Sequence, residues 1–308
     1  LKHIRLPGFS PTYPKGRSMA MSMAIQYPKM IKMAKKANLL LQEIIHEYKI
    51  DIIISDNRYE LSSSKVYNIL LSHQLNIITR GLQSLFKPFI NSTISNYIKN
   101  FDELWVPDTL MEPGLSSDLS HGISLSDNQY YIGPLSRFYN RKTTVKVEDI
   151  DVLCIMSGPE PQRTILEDIL IEQLRDKQLR VVILRGKPNE NEIIQNNNIK
   201  IISHINDVEF AELIENSRLI ISRSGYSTIM DLVVFGKSAL FVPTPGQTEQ
   251  EFLADKFKKQ SVFNYQEQQN INIEKAIEQQ NTFTGIKLTN DFVLLNKRLD
   301  NILNGLFA

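Results

Sequence analysis

The feature that most constrains the fold of this chain is the alternation of short, continuous apolar runs with longer helix-like stretches. A run such as 52–54 is apolar at every position, which is typical of a parallel strand buried on both faces of a sheet. Strands that alternate with helices in this way predict α/β units wound into parallel sheets. The predicted strands are 52–54, 77–79, 104–106, 130–132, 152–156, 181–184, 201–202, 219–221 and 239–242.

Length and polarity predict two domains joined by a linker. At about 100 to 200 residues per domain, a chain of 308 residues suits two domains that each bury a core. We assign 1–136 to the first domain, 137–150 to a polar linker and 151–288 to the second domain. Residues 289–308 carry apolar side chains at helical spacing, so we expect a closing helix that packs back onto the first domain.

Charge and cysteine content exclude several classes of protein. The chain has 35 basic and 34 acidic side chains, a formal net charge of +1, which argues against a dedicated nucleic-acid binder. A single cysteine, Cys154, excludes an intrachain disulfide and a cysteine-based metal cluster. The lone cysteine favours a cytoplasmic protein, and because no apolar run reaches the roughly 18 residues that span a bilayer, we expect at most peripheral membrane contact.

The richest candidate site follows the predicted strand 219–221. Hydroxyl residues and a glycine in the segment 222–228 begin a helix there, and backbone N–H groups at a helix start favour a phosphate. Arg223 adds a positive charge. Asp231 lies about one helical turn further along, roughly 5.4 Å, where its carboxylate could accept both hydroxyls of a ribose. The structural alternative makes Ser227 an N-cap and Asp231 a solvated helix residue.

Two more turns of the second half carry polar groups. Ser157 and Gly158 follow one strand and lead into a helix with Arg163 in its first turn, where a cation opposes the helix dipole. An anionic ligand would resolve that conflict; the alternative is a tolerated surface arginine. The turn after 239–242 brings Gln250 and Glu251 to a helix start, where they suit the hydroxyls of a sugar.

The first half offers a candidate base. Asp56, Asn57 and Arg58 follow one predicted strand, while His73 and Gln74 precede another. His73 is the best placed of five histidines to act as a general base, and a satisfied structural histidine is the alternative.

Methionine and lysine crowd into 19–36, and a similar apolar and basic mixture recurs at 85–99. Such segments indicate either helix packing or a membrane-surface or acceptor contact. The sequence alone leaves both interpretations open.

Motifs for other chemistries are absent from the sequence. There is no Walker A loop, no G-x-G-x-x-G, no G-x-S-x-G and no H-E-x-x-H. The D-x-D triplet at 149–151 matches a metal-binding motif of some sugar transferases, but it precedes its strand and so lies at the wrong edge of the sheet. We therefore predict no metal site.

The second half resembles family 28 glycosyltransferases of the GT-B fold, and within them the peptidoglycan N-acetylglucosaminyltransferases that act on lipid I. The resemblance rests on the 223–225 turn, Asp231, the strand end at 241–243, and Gln250 with its polar neighbour. This chain has Asp231 where the family usually has glutamate, and Glu251 where it usually has a second glutamine. The first change preserves a carboxylate for ribose; the second leaves the donor sugar open.

The resemblance implies a nucleotide-sugar site in the second domain. The backbone amides of 226–228 would bind a diphosphate, Asp231 the ribose, and Gln250 with Glu251 the donor sugar. Ile205 would contact uracil through its backbone, and Arg137 would approach the nucleotide. The predicted site comprises Arg137, Ser157, Gly158, Arg163, Ile205, Arg223, Ser224, Gly225, Tyr226, Ser227, Thr228, Asp231, Gln250 and Glu251.

The resemblance is looser in the first half. His73 and Gln74 correspond to an acceptor-side loop, so we predict His73 as the catalytic base and an acceptor side formed by Asp56, Asn57, Arg58 and Gln74. Family members open with a strand, a glycine-rich loop and a helix, and the loop carries a histidine. We expect these elements to be missing before Leu1.

The fold class is thus predicted as α/β, with two Rossmann-like doubly wound domains. The expected reaction transfers a hexose or N-acetylhexosamine from a nucleotide diphosphate, most simply UDP, to an acceptor hydroxyl with inversion. It needs no metal and no cofactor beyond the donor substrate. The acceptor is expected to be lipid-linked or a glycan, at the cell envelope. A GT-B nucleotide-sugar epimerase and a non-catalytic nucleotide-sugar binding subunit are the alternatives.

Overall fold

The computed structural model describes residues 2–8, 19–78, 87–112, 114–124, 126–139, 149–288 and 293–306. The chain divides into two compact units, one formed by Leu1–Gly133 with Val293–Ala308 and the other by Pro134–Phe292. The boundary thus falls just before the predicted linker 137–150, of which 140–148 lie outside the described residues.

The first unit is built on a parallel sheet of four strands in the order β1-β2-β3-β4. Its elements are α1 (Met19–Tyr48), β1 (Ile52–Asp56), β2 (Tyr67–Leu71), α2 (Lys87–Ile98), β3 (Glu103–Val106) and β4 (Gln129–Tyr131). Ala37, Leu41 and Ile45 recur at intervals of four residues on α1 and pack with Leu61 in one core cluster. Ile98 at the end of α2 packs with Leu70 and Leu104 of the sheet in another.

The predicted strand at 77–79 is wrong, and β2 takes its place. Asn68 interrupts the apolar pattern of β2, yet it is buried because its side chain accepts from Ser63 N (2.9 Å) and donates to Val66 O (2.7 Å). Residues 77 and 78 form no strand, and 79 lies outside the described residues. His73 and Gln74 therefore follow a strand instead of preceding one.

The second unit contains a sheet of seven strands in the order β11-β10-β9-β5-β6-β8-β7, parallel except for β7. Its elements are β5 (Ile150–Ile155), α3 (Gln162–Leu174), β6 (Val181–Leu184), β7 (Ile193–Asn196), β8 (Ile199–Ile202), α4 (Asp207–Glu215), β9 (Ser217–Ser222), α5 (Tyr226–Phe235), β10 (Leu240–Phe241), α6 (Thr248–Lys259), β11 (Asn264–Tyr265) and α7 (Ile273–Glu278). The chain builds outward from β5 towards β8, then returns to β9 on the other side. This reversal makes the β5/β9 border a topological switch point, where open α/β sheets bind ligands.

The last helix, α8 (Leu294–Leu306), is grouped with the first unit and is anchored there by one buried carboxylate. Arg298 pairs with Glu103, and its guanidinium lies 3.6 Å from the centre of the Tyr130 ring. Trp105 Nε1 (2.6 Å) and Tyr67 OH (2.7 Å) also donate to Glu103. Burial opposes ionisation of Glu103, but these hydrogen bonds outweigh it and hold its pKa below the ordinary value.

No helix in the described part of the chain is both long enough and apolar enough to cross a membrane.

We predict that Glu103→Gln lowers the free energy of unfolding by about 2 kcal/mol at neutral pH, because Arg298 loses its buried partner. The pKa of Glu103 is lowered by folding, so its stabilising contribution exists above the unfolded pKa and disappears as pH falls through the folded pKa. Urea unfolding at neutral and acid pH measures both effects. The control is Asp300→Asn, which also removes one negative charge but at an exposed position of α8. Equal stability of Glu103→Gln and wild type would contradict this account of the anchor.

Candidate functional site

The carboxyl ends of β5, β9 and β10 lie side by side, and the loops that follow them meet. Ile155 of β5 and Phe241 of β10 both pair with Ser222 at the end of β9. A Cβ added to Gly158 would lie 3.7 Å from Thr244 Oγ1, so the first and third loops are in contact. Gly158 also has a φ of +93°, which favours glycine. The structure therefore brings together the three turns predicted from the second half of the sequence.

The start of α5 is the centre of this edge. Its N-cap is Gly225, which has no side chain with which to cap the first turn. The alternative with Ser227 as N-cap is therefore wrong; Ser227 is exposed in the first turn and Thr228 is half-buried. Backbone amides of a first turn that lacks a side-chain cap, together with the helix dipole, favour a bound anion.

Ser224 and Gln250 tie the second loop to the third. Ser224 Oγ donates to Gln250 O (2.7 Å), and Gln250 Oε1 accepts from Thr244 N (2.8 Å). Glu251 Oε1 accepts from Gly246 N (2.9 Å). The side-chain oxygens of the two residues predicted to face the donor sugar thus brace the 243–247 loop, and Gln250 is buried. Their contact with a sugar stays a prediction.

Arg223 is fully buried, and its side chain is engaged by backbone carbonyls; its part in the donor site stays a prediction. Its Nη1 donates to Val242 O (2.9 Å) and Pro243 O (3.0 Å), and its Nη2 donates to Gln162 O (2.7 Å). Its Nε has no hydrogen-bond partner among the described residues. Burial lowers the pKa of Arg223 to about 10. Within the described ranges no carboxylate pairs with this cation, whose hydrogen bonds all go to backbone carbonyls.

Arg163 meets a carboxylate that the sequence analysis missed. Its Nε (3.0 Å) and Nη2 (2.6 Å) donate to Glu160 Oε1, and Thr164 Oγ1 donates to Glu160 Oε2 (2.8 Å). Partial burial opposes ionisation of Glu160, but hydrogen bonds from Arg163 and Thr164 lower its pKa. Glu160 at the start of α3 therefore resolves the conflict between Arg163 and the helix dipole that we attributed to a ligand.

Asp231 lies in a half-buried polar cluster and is not a solvated helix residue. Ser136 Oγ donates to Asp231 Oδ1 (2.7 Å). Burial raises the pKa of Asp231, while Ser136 and Arg137 oppose that rise. Arg137 pairs with Asp207 (2.7 Å) and lies over the ring of Phe138, at 4.9 Å from its centre. The structure thus brings Arg137 and Asp231 into one neighbourhood and adds Ser136 to it.

Ile205 is half-buried in the loop after β8, at the same carboxyl edge. The next residue, Asn206, caps α4 by accepting from Glu209 N (2.9 Å). This cap fixes the loop in which the backbone of Ile205 is predicted to contact the uracil ring of the donor. The cap signal was readable from the sequence, since asparagine followed by acidic residues is typical of a helix start.

The acceptor-side candidates gather at the carboxyl edge of the first sheet. Asn57 Oδ1 accepts from Ser72 Oγ (2.7 Å), which precedes the half-buried His73. Tyr59 OH donates to Gln74 O (3.0 Å). Asp56 is exposed at the end of β1.

The guanidinium of Arg58 already has hydrogen-bond partners within the first unit. Its Nε donates to Glu60 Oε1 (2.5 Å) and its Nη2 donates to Pro7 O (2.9 Å). We infer that Arg58 shapes this edge more than it offers a free cation.

A buried Asp–His pair supports this edge, and the sequence analysis did not single it out. Asp108 accepts from Leu115 N (2.8 Å), Ser116 N (2.7 Å) and His121 Nε2 (3.1 Å). Burial opposes ionisation of Asp108, but hydrogen bonds led by His121 and Ser116 lower its pKa. In the loop so formed, Leu119 O accepts from the amides that directly follow Gln74. Loop residues like these have no periodicity by which a sequence could reveal them.

Within the described ranges, no three His, Cys, Asp or Glu side chains are grouped as metal ligands.

We predict that Arg223→Leu lowers the free energy of unfolding by about 3 kcal/mol, because three buried carbonyl oxygens lose their donors. Urea unfolding followed by circular dichroism measures the loss. The matched control is Arg218→Leu in β9, the strand that Arg223 directly follows; the Arg218 side chain is 64% exposed, so this change should cost less than about 0.5 kcal/mol. Similar losses in both variants would show that the buried arginine does not hold the loops.

Comparison with known proteins places the second unit beside a glycosyltransferase domain. Residues 152–285 match the family described as "Glycosyltransferase family 28 C-terminal domain". A relative from Prochlorococcus marinus (strain CCMP1986 / NIES-2087 / MED4) is named UDP-N-acetylglucosamine–N-acetylmuramyl-(pentapeptide) pyrophosphoryl-undecaprenol N-acetylglucosamine transferase. It is 25% identical over 214 residues, which cover 66% of this chain and 54% of the relative. The chain spans 61%, 54% and 53% of the length of three curated relatives.

Solved structures show the same fold. The glycotransferase of kitacinnamycin matches with a TM-score of 0.58 and 11% identity, covering 97% of this chain and 86% of that one. A UDP-GlcNAc 2-epimerase from Neisseria meningitidis matches with a TM-score of 0.56 and 14% identity, covering 88% and 81%. The predicted α/β class with two Rossmann-like units of the GT-B type is confirmed. The resemblance to family 28 is confirmed for residues 152–285, which match the model of that family's C-terminal domain.

Proposed function

We propose that this chain acts as a glycosyltransferase that moves a hexose or N-acetylhexosamine from a UDP-sugar to an acceptor hydroxyl with inversion. The observation that carries the proposal is the meeting of three loops at the β5/β9 switch point, around a helix start with no side-chain cap. Such an edge suits a nucleotide diphosphate. The match of residues 152–285 to a glycosyltransferase domain supports the same chemistry.

The donor would lie along the carboxyl edge of the second sheet. Its diphosphate would face the first turn of α5, where backbone N–H groups and the helix dipole favour negative charge. Asp231, held through one oxygen by Ser136, would accept a ribose hydroxyl with the other. Ile205 would offer its backbone to the base, and Arg137 would flank the nucleotide. Gln250 and Glu251 would face the donor sugar from the 243–247 loop that they brace.

Transfer requires that negative charge develop on the departing diphosphate and that the acceptor hydroxyl lose its proton. The α5 start and the buried cation of Arg223 would stabilise that charge without a metal ion, because both are fixed before the reaction. The proton would pass to a base, for which His73 is the candidate on the acceptor side. The acceptor oxygen then bonds to the anomeric carbon as the bond to the diphosphate breaks.

The acceptor is proposed to be a lipid-linked molecule or a glycan. The relative from Prochlorococcus marinus is named as acting on a pyrophosphoryl-undecaprenol acceptor. An acceptor of that class would place this chain at the cytoplasmic face of a membrane, in contact with its surface. The likeness to an epimerase structure concerns the fold, which glycosyltransferases and these epimerases share.

Product analysis separates the candidate functions. Incubation with UDP-N-acetylglucosamine and UDP-glucose should give slow UDP release that rises when an acceptor is added. An epimerised nucleotide sugar would replace this proposal with epimerisation. Tight binding with no turnover, with or without a lipid-linked acceptor, would replace it with a binding role.

We predict that Asp231→Ala weakens UDP binding at least tenfold by calorimetry, because a carboxylate hydrogen bond to the ribose is lost. Since burial raises the pKa of Asp231, wild-type affinity should begin to fall at a higher pH than for an ordinary aspartate as the carboxylate is protonated. The variant should lack this dependence. Asp176→Ala, an exposed change of the same kind, is the control. Unchanged UDP affinity in Asp231→Ala would remove the donor-site assignment.

A further inference from the structure

The loop that follows β3 folds around one buried carboxylate. Asp108 is fully buried, and its Oδ1 accepts from Thr109 N (2.6 Å) and Leu115 N (2.8 Å). Its Oδ2 accepts from both the backbone N (2.7 Å) and the Oγ of Ser116. A buried carboxylate is stable only where donors satisfy it, and these donors converge in one conformation of the backbone. Asp108 therefore fixes where this loop leaves the strand and where it returns.

His121 supplies a further donor to the same carboxylate. Its Nε2 lies 3.1 Å from Asp108 Oδ2, and its side chain is 5% exposed. Because an ionised carboxylate can only accept hydrogen bonds, the ring proton must sit on Nε2. The ring stacks on Tyr131, with 4.7 Å between the ring centres, and Tyr131 OH donates to Ser120 O (3.0 Å). Both the N–H and the face of the His121 ring are thus used inside the unit.

Gly114 shows how tightly this pair is packed. Its φ is +56°, and a Cβ at this position would overlap His121 Nε2 and lie 2.7 Å from Asp108 Oδ2. Both side chains are buried, so neither can turn away into solvent. A glycine is required here for its conformation and for its lack of a side chain. A methyl group at 114 would consequently separate the pair without changing either member.

The loop closed by this pair holds the residues beside the candidate base. Leu119 O, in that loop, accepts from Leu75 N (2.8 Å) and Asn76 N (2.9 Å). His73 and Gln74 come directly before these two amides in the chain. A shift of the Leu119 carbonyl would therefore carry over to His73 through two residues of backbone.

A second contact holds the same segment from the other side. Tyr59 OH, in the segment after β1, donates to Gln74 O (3.0 Å) and lies 3.0 Å from Ser72 Oγ. Residues 72–76 are thus tied at one end by Tyr59 and at the other by Leu119. If the tie at Leu119 is loosened, the tie at Tyr59 remains. The expected result is a displaced candidate base in a unit that stays folded.

We infer that the Asp108–His121 pair is a positioning device for His73. The hydrogen bond from His121 Nε2 fixes the loop that carries Leu119, and Leu119 in turn sets the place of the backbone that follows His73. His121 is a positioning residue, because it acts through Leu119 and needs no contact with donor or acceptor. The inference rests on the proposed function in one respect, that His73 is the base. The placement of His73 can be measured without any reaction.

The test compares two substitutions of His121 that divide its properties. His121→Phe keeps a ring to stack on Tyr131 and removes the donor, whereas His121→Gln keeps an N–H donor at similar reach and removes the ring. Release of UDP from UDP-N-acetylglucosamine, with water as the acceptor, is measured in the full chain. We expect kcat to fall about tenfold in His121→Phe with the KM for the donor unchanged, since a misplaced base costs rate and leaves donor binding intact. His121→Gln should restore most of that rate.

Nuclear magnetic resonance reports the position of His73 without turnover. The ring signal of His73, assigned by its loss in His73→Gln, should move in His121→Phe and return towards its wild-type position in His121→Gln. Gly114→Ala, which changes neither member of the pair, should move the signal as His121→Phe does. Tyr131→Phe removes only the hydroxyl that donates to Ser120 O, so it serves if a stronger variant fails to fold. It should move the signal in the same direction by a smaller amount.

The matched controls are His46→Phe and His46→Gln, the same changes at an exposed position of α1. They should leave kcat and the His73 signal unchanged. A structural role alone would lower the melting temperature of both His121 variants without moving the His73 signal, and that outcome would overturn the inference. An equal loss of kcat in His121→Phe and His121→Gln would overturn it as well.

UDP titration keeps this result separate from the proposed function. If UDP neither binds nor is released while the His73 signal moves in His121→Phe, the donor proposal fails and the positioning stands. If UDP is released and the His73 signal stays in place in His121→Phe, Gly114→Ala and Tyr131→Phe, the positioning fails and the proposed function stands.

Discussion

The donor-side edge depends on one interaction, the buried guanidinium of Arg223 with three backbone carbonyls. Two of these carbonyls belong to Val242 and Pro243, which follow β10, and the third to the first residue of α3, so one side chain fixes segments far apart in sequence. Burying a cation is costly unless its hydrogen bonds are satisfied. Here three hydrogen bonds to carbonyl oxygens offset the cost of burying Arg223, and they hold the loops in place before any ligand arrives. A preformed edge loses little entropy on binding, so the proposed binding of a diphosphate there would carry a small ordering cost.

Much of the fold could be predicted from the sequence, because buried parallel strands leave a direct pattern. The continuous runs at β5, β6 and β9 identified the second sheet, and the turns after them identified its functional edge. The pattern failed at β2, where Asn68 stands in a buried strand. A polar residue can do this only if partners satisfy it, and those partners, the backbone of 63 and 66, are visible only in three dimensions. The false strand at 77–79 had the opposite fault: its first two residues, 77 and 78, are apolar in sequence but form no strand.

At the site, residue types were predictable but their partners were not. Arg223 and Arg163 were both placed in the predicted donor site, because a nearby anion would give a reason for a cation close to a helix start. The structure supplies other reasons: carbonyl oxygens for Arg223 and Glu160 for Arg163. Asp231 was expected to offer two oxygens, yet Ser136 already takes one. Sequence spacing locates a charge on a helix, whereas its effective chemistry depends on neighbours contributed by other segments.

The two units differ in how far sequence could reveal their sites, and the difference has a physical origin. A diphosphate is bound by backbone amides at a helix start, which requires particular small residues at fixed spacing and so leaves a motif. An apolar groove is defined by volume and by the absence of a covering element. Many combinations of Met, Ile and Tyr can line such a groove without a shared pattern. The groove of about 1180 Å³ between α1, the 57–64 segment and α2 is accordingly visible in the packing of the first unit and leaves no motif in the sequence.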